Sequence, residues 1–322
     1  LKHHNARPRV LLTSPIHPDM QALLAAECDI ILAPDTQAST YKRLICDVHG
    51  VIVRNQLPPD IFEDAPLTRA VVRHGVGLDM IPVQAATEKN IAVANLPGCN
   101  SQAVAEYCIA GMLALRRNLA GMDASLRKDG WAKARPAADH YLELGASTLG
   151  IVGVGSIGTL ISFMAQGLGM KVLGLTRRPE TLPKGVIAVD KEKLFAQSDA
   201  VVLACPLTDQ TRNLVDKDTI AKMKSRAILI NVSRGPVVDT DALVIALREG
   251  RLGGAMLDVF DKQPLTGAEQ VFDCPNLMLT PHCAGITESS SFVTSEGAVK
   301  TMLALLQNER PSNVVNPEVF KD

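Results

Sequence analysis

Short β-branched runs recur along this chain with helix-length amphipathic stretches between them. That alternation restricts it to parallel sheets covered by helices. The first series of runs lies at residues 9–14, 29–33, 50–54, 70–74 and 91–95, with helices expected at 18–27 and 40–48. A second series begins at Thr148 and has runs at 149–152, 171–175, 200–204, 227–231, 254–258 and 277–279, closing on a helix over about 289–308. Consecutive apolar positions of this kind belong to strands buried on both faces. Ser101–Arg117 reads as a long helix too apolar for a single stripe, so burial on several sides, between domains or subunits, is expected. No sequence repeat relates the two series. At roughly 100–200 residues per domain, 322 residues accommodate two α/β domains. Leu1-Lys2-His3-His4 carries none of this pattern and is set aside.

Composition narrows the functional classes. With 33 Lys and Arg against 34 Asp and Glu, the formal charge is −1, so the chain lacks the basic excess that nucleic acid or an anionic membrane requires. Aromatic residues make up 3%, with one Trp, too few for base-stacking platforms. No apolar run approaches the ~18 residues of a membrane span, and the N-terminal stretch has no signal-peptide core. The seven Cys (28, 46, 99, 108, 205, 274 and 283) are odd in number, widely spaced and free of C-x-x-C, which suits reduced, mostly buried thiols rather than disulfides or a metal site. A cytoplasmic protein without a metal is expected.

The run at 149–152 leads directly into Gly153-Val154-Gly155-Ser156-Ile157-Gly158, which opens a helical stretch and is followed by another strand at Lys171. A G-x-G-x-x-G in that setting lets backbone amides approach a pyrophosphate at a helix N-terminus, so Gly153, Gly155, Ser156, Ile157 and Gly158 are read as dinucleotide contacts. Where NAD-binding chains place an acidic residue for the ribose 2′-hydroxyl, this one has Thr176-Arg177-Arg178. Two guanidinium groups suit a 2′-phosphate that a carboxylate would repel, which predicts NADP(H), with NAD as the weaker alternative.

Polar residues also stand at the ends of later strands: Val232-Ser233-Arg234-Gly235-Pro236, Asp258 through Gln263-Pro264, and Pro281-His282-Cys283. In open parallel sheets, ligands bind at the carboxyl ends of strands, so these segments can share one crevice. In their order they resemble the D-isomer-specific 2-hydroxyacid dehydrogenase family, which includes 3-phosphoglycerate dehydrogenases and glyoxylate/hydroxypyruvate reductases. The likeness spans nearly the whole chain, from Gly75-Val76-Gly77-Leu78-Asp79 and Asn95-Leu96-Pro97-Gly98 through the glycine loop and Cys205-Pro206-Leu207-Thr208 to Asn231-Val232-Ser233-Arg234-Gly235 and Pro281-His282.

The resemblance implies two Rossmann-like or flavodoxin-like domains with a cleft between them. Residues 1–100 with 287–322 would bind substrate, and 101–286 the dinucleotide. It also implies hydride transfer between the nicotinamide and C2 of a small 2-oxoacid or 2-hydroxyacid. His282 would be the proton donor, suited by its reference pKa of about 6.5. Arg234 would grip the substrate carboxylate and carbonyl. The amides of Val76 and Gly77, with Arg54, would bind substrate. Cys205, Pro206, Val232 and Asp258 would contact the cofactor, Asp258 at the nicotinamide carboxamide. Ser101–Arg117 and the segment to about Leu144 look like the family's dimer arm, which implies a homodimer. Cys283 reads as a small neighbour of His282.

One position departs from the usual pattern. The partner of the histidine is commonly Glu before Pro, and here it is Gln263, as in the formate dehydrogenase branch. An amide orients the ring without adding negative charge. Two alternatives stay open at this level. One is a dinucleotide-binding regulator or scaffold with little turnover; the other is a dehydrogenase of a phosphorylated or sulfonated hydroxy acid.

Overall fold

The computed structural model of the protein describes residues 7–320, and residues 1–4, set aside above, lie outside it. The chain divides into two compact units, one running to Asn100 and resuming at Ile286, the other Ser101–Gly285. The first holds β1 (Arg9–Leu12), α1 (Pro18–Glu27), β2 (Asp29–Leu32), α2 (Ala38–Ile45), β3 (Gly50–Val53), β4 (Ala70–Arg73), α3 (Val83–Glu88) and β5 (Ala92–Ala94). The second begins with α4 (Ser101–Arg117), α5 (Leu119–Asp129) and α6 (Trp131–Ala134). It continues through β6 (Thr148–Val152), α7 (Ser156–Gly167), β7 (Lys171–Leu175), β8 (Val186–Ala188), α8 (Lys191–Gln197) and β9 (Ala200–Leu203). It ends with α9 (Lys217–Lys222), β10 (Ile228–Asn231), α10 (Thr240–Arg248), β11 (Gly254–Leu257) and β12 (Leu277–Leu279), after which α11 (Glu288–Leu306) belongs to the first unit.

Both sheets are parallel and flanked by helices, the α/β class expected. The strand order is β2-β1-β3-β4-β5 in one and β12-β11-β10-β9-β6-β7-β8 in the other. In the second sheet the order reverses at β6, with β9 on one side and β7 on the other, and such a switch point opens a crevice at the carboxyl ends. Strands β3, β9, β10 and β11 are buried throughout, which is why each reads as an unbroken apolar run. The three-residue edge strand β8 is mostly exposed and carries no such signal, so the pattern predicts no strand there.

Local chemistry starts the helices. Asp190, Asp216 and Asp239 cap α8, α9 and α10 by accepting the amides of Lys193, Thr219 and Ala242 at 2.8, 2.8 and 3.0 Å. Thr287 and Ser290 form a reciprocal capping box at the start of α11. Helix α11 buries Ala298, Val299 and Met302 against Val10, Leu12, Ile52 and Val72, so it completes one face of the first sheet. Helix α4 buries Val104, Ala105, Cys108 and Met112 in the second unit's core, while Leu113 on its other side is exposed. Within its own unit it is therefore covered mainly on one side. None of the described helices is long and apolar enough to cross a membrane. All seven cysteines are free thiols, four of them buried.

The first unit contains a buried polar contact with a pH consequence. His74, 8% exposed, places Nε2 2.8 Å from Ser295 Oγ, and that oxygen accepts the His17 amide at 3.0 Å. Burial, then the nearby Arg54 and Arg73, lowers the His74 imidazole from its usual 6.5 to about 4. Between these values the unfolded chain takes up a proton that folded His74 refuses. Stability should therefore decline as pH falls from about 6.5 to 4, by up to about 3 kcal/mol. Urea unfolding across this range, compared with His74→Gln, measures the effect. The variant should show a flatter dependence, and an unchanged slope would assign it to other groups.

Candidate active site

The glycine loop joins β6 to α7, and its glycines differ in what they are for. Gly153 has φ of +90°, and a Cβ there would lie 2.7 Å from the backbone N and Cα of Cys205. A Cβ at Gly158 would lie 2.5 Å from the Gly153 carbonyl oxygen. Both are required by the protein's own packing. Gly155 is not, because a Cβ there would meet nothing within 4 Å. It is the N-cap residue of α7 and offers no side-chain bond, so the first-turn amides of that helix, at Ser156, Ile157 and Gly158, keep their donors. An open cradle at the positive end of a helix suits a pyrophosphate, and the residues present fit a dinucleotide.

At the end of β7, Thr176 Oγ1 accepts the Arg178 amide at 3.2 Å, and the Arg178 carbonyl accepts Thr181 N and Oγ1 at 3.1 and 2.9 Å. The turn's backbone is thus fixed, while the Arg177 and Arg178 side chains are exposed and pair with no group among the described residues. Cys205 is buried against Gly153, and burial pushes its thiol up. The Pro206 carbonyl accepts Thr211 Oγ1 at 2.7 Å, and Val232 N donates to the Leu203 carbonyl at 3.2 Å.

The loops after β10, β11 and β12 hold the remaining site residues of this unit. Asn231 Oδ1 accepts Ser233 N and Oγ at 3.0 and 2.7 Å, and its Nδ2 donates to the Arg234 carbonyl at 3.0 Å. Arg234, half-buried, turns one Nη1 donor onto the Ser233 carbonyl at 2.7 Å. A Cβ at Gly235 would overlap the backbone of Phe260 and Asp261, so the Arg234 loop and the loop carrying Gln263 lie against each other.

Gln263 Nε2 donates to the Phe260 carbonyl at 3.2 Å, and Oε1 lies 2.9 Å from His282 Nδ1. Because the amide nitrogen is committed to a carbonyl, the oxygen faces the ring, and the ring must carry its proton on Nδ1. In the neutral ring Nε2 is then the nitrogen without a proton. Asp258, 2% exposed, accepts Thr280 Oγ1 and Cys283 N on Oδ1 at 2.7 and 2.8 Å and Ala284 N on Oδ2 at 2.9 Å. Burial and the Asp258 charge raise the Cys283 thiol, so it is no thiolate at neutral pH. A cavity of about 560 Å³ opens here, lined by Gln263 and His282 together with Phe260, Leu265, Phe272 and Leu279.

The first unit carries Arg54, Val76 and Gly77. Arg54 N donates to Thr13 Oγ1 at 2.8 Å and its Nη1 to the Pro15 carbonyl. In the 75–77 turn the carbonyls point away from use. Gly75 O accepts Leu96 N at 2.9 Å, Val76 O accepts Asn95 Nδ2 at 2.7 Å, and Gly77 O accepts Arg73 Nε at 3.0 Å. The Val76 and Gly77 amides donate to nothing among the described residues, which leaves paired donors suited to an anion.

Residues 109–284 match the model of the D-isomer specific 2-hydroxyacid dehydrogenase NAD binding domain. The glyoxylate reductase of Thermococcus litoralis is 34% identical over 326 residues, covering 98% of each chain. The chain belongs to the D-isomer-specific 2-hydroxyacid dehydrogenase family. Among solved structures, the NADPH-dependent glyoxylate/hydroxypyruvate reductase of Sinorhizobium meliloti in complex with NADP and malonate is 29% identical, with a TM-score of 0.87 over 98% of this chain and 99% of that one. A protein from Thermus thermophilus is 31% identical, with a TM-score of 0.88 over 95% and 99%. Membership makes this chain an NAD(P)-dependent oxidoreductase of the 2-hydroxyacid class with a nicotinamide dinucleotide site.

Two residues of the cluster escaped the sequence reading. Thr280 lies just past the 277–279 run, and Tyr107 within the apolar pattern of α4; Tyr107 OH bonds to Thr280 Oγ1. The glycine loop yields a paired test. Gly155→Ala should leave the melting temperature unchanged and weaken dinucleotide binding, measured by fluorescence titration. Gly153→Ala should lower the melting temperature outright. Equal losses of stability in both would contradict the division drawn between them.

Proposed function

We propose that this protein is an NADP(H)-dependent reductase of a small 2-oxoacid of the glyoxylate or hydroxypyruvate kind. The observation that carries the reading is the Gln263–His282 hydrogen bond, which commits Nδ1 and supports proton exchange at Nε2. Bound in the crevice, the nicotinamide would supply hydride to C2 of the substrate. His282 gives its Nε2 proton to the carbonyl oxygen as that oxygen gains charge, and ends neutral while the product becomes the 2-hydroxyacid. Arg234 holds the carboxylate and carbonyl with its planar donor fork. Gln263 orients the imidazole. In this reading the smaller unit is the substrate domain, where Arg54 and the Val76 and Gly77 amides serve the carboxylate. Ser101–Gly285 is the dinucleotide domain, where Asp258, Cys205, Pro206 and Val232 line the cofactor site and Ser156, Ile157 and the three loop glycines hold the pyrophosphate. A homodimer in the cytoplasm, with no metal, nucleic acid or membrane partner, completes the proposal.

Arg177 and Arg178, unpaired among the described residues, support NADP over NAD, since each charge-assisted contact to a phosphate is worth ~1.5–3 kcal/mol. Turnover of a 2-oxoacid panel with NADPH and NADH in parallel should give a higher kcat/KM with NADPH. Replacing both arginines by alanine should cut that preference by roughly a hundredfold or more. Equal kcat/KM values for the two cofactors would refute the preference. Tight NADPH binding with no turnover across the panel would favour a dinucleotide-binding regulator, the reading that the missing Glu at Gln263 keeps open.

The amide also sets the pH response. Reduction needs the protonated ring, so activity is present below the His282 pKa and is lost as pH rises through it. Gln263→Glu places a carboxylate on Nδ1–H, favours the imidazolium, and should move the basic limb of the kcat profile up by roughly a pH unit. An unmoved limb would show that the pair is uncoupled.

A further inference from the structure

His282 occupies the left-handed backbone region, with φ of +55°. A non-glycine residue stays there only when its surroundings over-determine it. Its own amide donates to the Asp258 carbonyl at 2.9 Å and the Thr280 carbonyl at 3.0 Å. The next two amides are taken by the Asp258 carboxylate, which also accepts the Thr280 hydroxyl at 2.7 Å. A carboxylate can only accept, so the Thr280 proton is committed to it. Thr280 Oγ1 can then only accept from Tyr107, which makes Tyr107 the donor. Burial pushes the Tyr107 hydroxyl up to about 12, so it keeps its proton across any assay range.

Tyr107 lies on α4, and the same helix reaches the cofactor loop, where Ser101 Oγ donates to Ser156 Oγ at 3.0 Å. One rigid element therefore bonds both to the first residue of the pyrophosphate helix and to the residue two before His282.

We propose that Tyr107 is a positioning residue for proton transfer, acting through Thr280 and Asp258 to hold the His282 turn at a set place relative to the dinucleotide loop. The proposal rests on the reductase reading. Hydrogen bonds in series strengthen one another, and misplacement of a reacting group by about 1 Å can cost ~100-fold in rate.

A double-mutant cycle tests it, using the whole enzyme with Tyr107→Phe, Thr280→Val and the pair. Tyr107→Phe should lower kcat roughly tenfold or more, with KM for the 2-oxoacid and NADPH affinity by fluorescence titration unchanged. In the Thr280→Val background the same change should have no further effect, and Thr280→Ser should restore activity. Losses that multiply, or a Tyr107→Phe enzyme with wild-type kcat, would overturn the proposal. A second readout does not depend on turnover: the His282 Nδ1–H proton, resolved by NMR through its bond to Gln263, should shift or broaden in Tyr107→Phe. If the wild type reduces no 2-oxoacid, the reductase reading fails while this resonance still decides whether Tyr107 positions the ring. A resonance unchanged in Tyr107→Phe overturns the positioning role itself.

Discussion

Parallel pairing is the constraint on which the rest depends. Every ladder of both sheets is parallel, so each strand must be followed by a crossover, and the carboxyl ends of all strands in a sheet emerge along one edge. In the larger unit that edge collects Gly153 after β6, Thr176 after β7, Cys205 after β9, Val232 after β10, Asp258 after β11 and Thr280 after β12. Residues as far apart in the chain as Gly153 and Cys205 become neighbours through strand order alone. The buried interiors of β9, β10 and β11 make that edge rigid, so short loops can hold polar groups to a tight geometry.

Within this frame, a buried carboxylate organises the turn after β12. Taking an ion out of water costs several kcal/mol, and Asp258 offsets the cost with donors from Thr280, Cys283 and Ala284. All three belong to the turn that carries His282, so satisfying the charge also shapes the turn. Gln263 then sets the ring from the other side, with its amide held by the Phe260 carbonyl. A glutamate at this position would add charge to the same contact; the amide supplies direction alone. Arg234 is brought into the same neighbourhood by backbone contact at Gly235, which has no side chain to keep the two loops apart.

The sequence was most legible where burial was greatest. Strands buried on both faces announce themselves as apolar runs, and the glycine loop could be placed because a strand and a helix flank it. Edge strand β8 and helix α5 were silent for the same reason in reverse. One is mostly exposed and the other buries no residue, so neither leaves a periodic apolar trace. Tyr107 shows a different limit. Its ring fits the apolar pattern of α4, and nothing in that pattern says that its hydroxyl meets a threonine 173 residues away.

By itself the sequence determined the α/β class, the family and the exchange of an acid for two arginines after β7, because each is a matter of residue type and local spacing. Tertiary structure alone decided which groups are committed and which are left over. It made Gly155 dispensable to packing while Gly153 and Gly158 are not, left Arg177 and Arg178 without partners among the described residues, and turned Gln263 so that His282 bears its proton on Nδ1. The physical reason is that a hydrogen bond or a steric contact depends on where atoms meet in space, and strand order sets that across distances no local pattern spans.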